Sequence, residues 1–98
     1  MAESDLLHAD LTRRIIGAAI EVHRTLGSGF LEAVYEDALA VEFGMQGICY
    51  EQQKPLCVFY KGHKVRDYIF DFLVEQKVLV ELKAIKMITA VEESQVLN

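Results

Sequence analysis

Three side chains toward the C-terminal end of this sequence could together handle a phosphate ester: Asp71, Glu81 and Lys83. Successive strand residues point to opposite faces, so in Val80-Glu81-Leu82-Lys83 the acid and the lysine share one face with Leu79. Val80 and Leu82 then point the other way, into a core. Glu75-Gln76-Lys77 reads as a tight polar turn. Centred near Gln76, it sets Asp71 opposite residue 81, with side-chain bases about 4.5–5.5 Å apart. Two carboxylates that close repel each other unless a positive charge lies between them. A hard divalent cation, Mg²⁺ or Mn²⁺, takes oxygen ligands and keeps several waters, so Asp71 and Glu81 are the expected metal ligands. Bound there, it acidifies water and polarises a phosphoryl oxygen. Lys83 could orient that water or hold the phosphate. Such an arrangement suits phosphodiester hydrolysis.

The ordinary alternative is a solvated strand face on which Glu81 and Lys83 form an ion pair worth about 0–1 kcal/mol. An acid directly opposite Glu81 argues against it, because like charges facing each other are destabilising and need a reason. The register matters, since a slip of one residue turns Asp71 to the core side.

The elements that must position these residues can be read along the chain. Asp10 stands where a helix N-cap would, and Leu11, Ile15, Ala18/Ala19, Val22 and Leu26 repeat at helical spacing up to Gly27. Ser28 is placed to cap a second helix with apolar positions Leu31, Val34/Tyr35, Ala38, Val41 and Met45, ending at Gly44 or Gly47. From Ile48 the pattern becomes strand-like: Val58-Phe59-Tyr60, a Lys61-Gly62-His63 turn, then Val65 to Phe72, the polar turn, and Val78 to Lys83. Pro55 marks the first strand as an edge strand, or as starting after it. Thr89 with Glu92 forms a capping box that opens a last helix through Val91 and Gln95. The order is helix, helix, three-stranded meander, helix, in a single domain spanning 1–98. The last helix is short at the end of the sequence, as expected of an element cut off before completion.

Composition narrows the class. Of 98 residues, 52% are hydrophobic and 26% charged, with one proline, which excludes a disordered chain. No apolar run approaches membrane-spanning length, and no signal-like leader opens the sequence, so a cytoplasmic protein without membrane contact is expected. The net charge of −5 argues mildly against a constitutive nucleic-acid binder. Yet Lys54, Lys61, Lys64 and Arg66, with His63, concentrate in one stretch, where they could guide a phosphate backbone or simply protect a hairpin edge. Cys49 and Cys57 lie too far apart on an extended strand to form a disulfide and are expected to be buried and reduced.

Separated motifs then resemble a known family. Gly29-Phe30-Leu31-Glu32-Ala33-Val34-Tyr35 matches the signature of the GxxExxY proteins, a branch of the PD-(D/E)XK nuclease-like superfamily. His23-Arg24-Thr25-Leu26-Gly27, Tyr60-Lys61-Gly62, Asp71-Phe72-Leu73-Val74 and Val80-Glu81-Leu82-Lys83 follow in the same order. The resemblance implies an α/β (α+β) nuclease-like core, with helices packed on a three-stranded meander and with the C-terminal helix and final strand truncated. It implies metal ligation by Asp71 and Glu81, a catalytic Lys83, an acidic Glu32 from the first core helix, and a polar Gln95 on the helix after the lysine strand. Tyr35 occupies an apolar helix position and should pack in the core with its hydroxyl bonded at the rim.

Two functions remain open. One is a Mg²⁺- or Mn²⁺-dependent nuclease acting on nucleic acid. The other is a non-catalytic module that keeps the fold and binds nucleic acid or protein. An uncovered sheet would favour a homo-oligomer.

Overall fold

The computed structural model describes residues 8–82 together with 88–90 and 96–97. Two compact units make up the chain, one from Met1 to Cys49 and one from Tyr50 to Asn98.

The first unit is a helical hairpin. Helix α1 spans Ala9–Leu26 and helix α2 spans Glu32–Met45. Arg14, near the start of α1, donates to the backbone carbonyl of Gln46 at the end of α2, and His23 near the end of α1 stacks on Tyr35 near the start of α2. The helices therefore run antiparallel. Ile15, Ala18 and Val22 form the buried stripe of α1, as their spacing predicts, and the helix stops at Gly27. Asp10 does not cap it. The N-cap is His8, and Asp10 sits in the first turn, paired with Arg13 at 2.7 Å, where an acid favours the helix dipole.

Helix α2 departs further from expectation. It begins at Glu32 rather than after Ser28, and Leu31 is its N-cap, without a side-chain cap bond. Its buried residues are Leu39, Ala40 and Phe43, while Val41 and Met45 are exposed. Apolar residues occur on nearly every side of this helix, so spacing alone admits two stripes, and the one through Leu39 and Phe43 is buried, with Tyr35 half-buried at its start. The C-terminus is unambiguous. Ile48 N–H bonds the Phe43 carbonyl at 2.9 Å and Gly47 N–H bonds the Gly44 carbonyl at 3.2 Å, the Schellman pattern. Gly47 supplies the required positive φ of 73°, and both Ile48 and Phe43, the positions that commonly make the apolar contact of this motif, are buried.

The second unit is an antiparallel sheet. Strands β1 (Tyr50–Tyr60), β2 (His63–Val74) and β3 (Val78–Val80) form the expected meander. Lys61 and Gly62, both at positive φ, join β1 to β2 in a two-residue turn, the tight connection that fits strand twist. Strand β1 starts five residues before Pro55 and passes through it. Two short strands extend the sheet: β4 (Ile88–Ala90) pairs with β3, and β5 (Val96–Leu97) pairs with β1 at Val58 and Cys57. The order is β4-β3-β2-β1-β5.

The Thr89 capping box is thus a misreading at its first residue, because Thr89 pairs with Leu79 in a strand. Its β-branched neighbourhood and the open edge of β3 favour extension there. Ala90 likewise lies in β4, and Val96 and Leu97 form β5 rather than continuing a helix, while residues 91–95, Gln95 included, lie outside the described residues. Cys49 and Cys57 are both free thiols as expected, but neither is buried: Cys49 is exposed and Cys57 half-buried. Among the described residues, no helix is long and apolar enough to cross a membrane.

Candidate active site

The turn that sets the key register is closed by Lys77 N–H on the Val74 carbonyl at 2.9 Å, with Glu75 and Gln76 both at positive φ. The ladder beyond it pairs Val74 with Val78, Leu73 with Leu79, and Phe72 with Val80. Continued by one residue, this register brings Asp71 opposite Glu81. The ladder itself stops at Val80. One step further, the Asp71 Oδ2 oxygen accepts the backbone N–H of Leu82 at 2.7 Å. A side-chain carboxylate thus takes a donor that a backbone carbonyl would otherwise bind, and β3 ends after three residues.

Glu81 does not lie on a solvated face. It is 8% exposed, and every residue from Val78 to Leu82 is buried. The expectation of one core face and one carboxylate face therefore needs revision, since Leu79 and Glu81 are buried like Val80 and Leu82. Burying a carboxylate is costly, so the simple surface ion pair does not describe this position. Leu73 and Leu79 belong to a buried apolar cluster with Leu56, and Asp71 and Glu81 lie two residues beyond them along their strands. The acids stand where apolar packing gives way to polar groups, a setting in which charges interact more strongly than in water.

A third side chain reaches Asp71. Gln53 Nε2 donates to Asp71 Oδ1 at 3.4 Å from across β1. Gln53 holds a φ of 56°, an uncommon conformation for a residue with a side chain. It lies between the paired residues Gln52–Phe72 and Lys54–Phe70, opposite Asp71. Nothing in its residue type marked it beforehand. An irregularity in the ladder between Val58 and Phe59 moves the register by one, so counting from the Lys61-Gly62 turn points to Gln52 instead.

Of the remaining expected site residues, Glu32 is exposed as the first residue of α2, in the helical unit, where its charge favours the helix N-terminus. Lys83 and Gln95 lie outside the described residues. Tyr35 has a defined structural part. Its half-buried hydroxyl donates to the Gly27 carbonyl at 2.6 Å and accepts the Phe30 N–H at 3.2 Å, and its ring contacts those of His23 and Phe30. The tyrosine ties down the loop between the helices, and Gly29 within that loop adopts a φ of 106°.

Were the β2–β3 register continued by one residue, Asp71 and Glu81 would offer two carboxylates, a donor set suited to a hard divalent cation. Each carboxylate offers several lone-pair sites, so the bonds from Leu82 and Gln53 leave Asp71 coordinating capacity. Among the described residues no three His, Cys, Asp or Glu side chains gather as a ready metal cage. A cation held here would keep several waters, as Mg²⁺ does.

The family model of the PD-(D/E)XK nuclease superfamily matches residues 9–98 of the chain. No curated protein and no solved structure matches it.

Proposed function

Since the chain belongs to the PD-(D/E)XK nuclease superfamily, we propose that it is a metal-dependent nuclease of the GxxExxY branch, a cytoplasmic protein hydrolysing phosphodiester bonds in nucleic acid. Nucleases of this superfamily usually use divalent metal ions. The observation that carries the reading is the hydrogen bond that ties the Asp71 carboxylate to the backbone N–H of Leu82, the residue next to a buried Glu81. In this reading Asp71 and Glu81 hold Mg²⁺ or Mn²⁺, which when bound supplies an acidified water and a polarised phosphoryl oxygen. Asp71 is held at both oxygens, by Leu82 and Gln53, so its carboxylate is oriented before any ligand arrives. Lys83 follows Glu81 by two residues, and its ammonium group would steady the attacking water or the phosphate. Glu32 and Gln95 enter through the motif resemblance alone. The Gly29, Glu32 and Tyr35 pattern supports the GxxExxY assignment.

The test is hydrolysis of plasmid and single-stranded substrates with Mg²⁺ or Mn²⁺, comparing the wild type with Lys83→Ala. Loss of cleavage in the variant supports the reading, and equal cleavage by both proteins contradicts it. The second reading, a non-catalytic binding module, has the acidic net charge in its favour. Absence of metal binding at millimolar Mg²⁺ in calorimetry would favour it over the nuclease.

A further inference from the structure

Strands β1 and β2 are far longer than their neighbours. They run for 11 and 12 residues, whereas β3 covers only Phe72 to Val74 of β2, and β5 covers only Cys57 and Val58 of β1. Every residue from Tyr60 to Ile69 is exposed. A two-stranded ribbon bare on this scale has little burial to stabilise it and is marginal on its own. Its composition runs against the rest of the molecule. In a chain of net charge −5, the ribbon carries Lys61, Lys64 and Arg66 against Asp67 alone, with His63 between them and exposed Tyr60 and Tyr68 rings at either end. Lys61 lies 5.4 Å from the centre of the Tyr60 ring, and Lys64 is paired with Asp67 at 3.0 Å, which leaves Lys61 and Arg66 as the cations not engaged by an acid in the ribbon.

We propose that this ribbon is a docking surface for the phosphate backbone of a nucleic-acid strand, with Lys61 and Arg66 as its principal phosphate contacts. Cations flanked by exposed aromatic rings are what a polyanion carrying flat bases selects, and its negative charge complements the ribbon rather than the acidic remainder of the chain. Arg66 stands five residues before Asp71 on the same strand, roughly 17 Å at about 3.3 Å per residue. That equals about five nucleotides at 3.4 Å each, so the ribbon would hold a strand well away from the carboxylate rung. The contact does not require Asp71 or Glu81 to cleave anything, and it is measured without hydrolysis.

The test is fluorescence anisotropy of labelled 20-nucleotide single strands and duplexes with the full chain, in chelator, over a salt series. Three proteins are compared: the wild type, Lys61→Gln/Arg66→Gln, and a charge-matched control, Arg13→Gln/Lys77→Gln. Thermal melting establishes that each is folded. The expected result is binding by the wild type and the control, affinity weaker by roughly an order of magnitude in the ribbon variant, and a logarithmic salt slope shallower by about two on duplex. Wild-type binding that the ribbon variant reproduces in affinity and slope overturns the ribbon surface and leaves the nuclease reading standing. Absence of wild-type binding to either probe at low salt also overturns it. Cleavage lost in Lys83→Ala with binding retained tests the catalytic reading separately.

Discussion

Asp71 accepts the backbone N–H of Leu82 through Oδ2 at 2.7 Å, across the hairpin and one residue past its last ladder pair. The same carboxylate therefore does two things that can be separated by substitution. It holds the backbone just past the end of strand β3, and in the proposed site it is a metal ligand together with Glu81. Asp71→Asn keeps an acceptor for Leu82 while removing the charge. Asp71→Ala removes both. The expected outcome is near-normal stability with lost Mn²⁺ binding for the asparagine variant. The alanine variant should also lose about 1.5–3 kcal/mol, as for a hydrogen bond to a charged group. Urea unfolding and Mn²⁺ calorimetry on the two proteins check this.

Gln53 offers a second separation. Its positive φ suits glycine, and its amide reaches Asp71. Gln53→Gly should leave stability unchanged or slightly raised, because the left-handed conformation costs glycine little. Mn²⁺ affinity should nevertheless fall, by about tenfold if Gln53 orients the carboxylate as outer-shell partners do. Unfolding curves and calorimetry distinguish this from a purely structural part, which would leave metal affinity unchanged.

How much of this was legible in the sequence depends on which feature is asked about. The β2–β3 register, as far as its last pair Phe72–Val80, followed from a polar turn centred at Gln76, because a symmetric turn fixes its own flanking pairs. The meander and the Gly27 stop followed from equally local signals. The part Gln53 plays did not, because an irregularity at Val58 and Phe59 shifts the ladder by one residue and no composition cue announces it. The burial of Glu81 was also hidden, since the alternation in Val80-Glu81-Leu82-Lys83 reads as one core face and one polar face, and strand β4 was hidden because Thr89 and Glu92 look like a helix start. On α2 the apolar residues were too many to choose a face, and packing selected Leu39 and Phe43 over Val41 and Met45.

The loop between the helices should respond to the tyrosine that holds it. Tyr35→Phe removes one donated and one accepted hydrogen bond while keeping the ring contacts with His23 and Phe30. A loss of about 1–2 kcal/mol is expected in urea unfolding. Gly29→Ala should cost about 1–3 kcal/mol through its φ of 106°, with no steric clash contributing, since space for the added carbon is open.

Cys57 carries a pH signature. Its thiol donates to Asp67 at 3.3 Å, and this bond, followed by burial, holds the thiol pKa above its ordinary value, while Lys64 acts in the opposite sense. A raised pKa means less thiolate at a given pH, so alkylation of Cys57 should be slow at pH 8 and accelerate at higher pH. Asp67→Asn removes the charged acceptor and should move the midpoint of that profile downward. Mass spectrometry of iodoacetamide labelling at Cys57 reads it directly, and an unmoved midpoint would contradict the assigned cause.

The central claim is that Asp71 and Glu81 together hold one divalent cation. A crystal soaked in Mn²⁺ and examined for anomalous scattering tests it most directly. The expected result is a single peak between the two side chains, about 2.0–2.2 Å from a carboxylate oxygen of each and absent from crystals of Asp71→Asn. A well-ordered site without such a peak, its two carboxylates turned to opposite sides of the sheet, would contradict it.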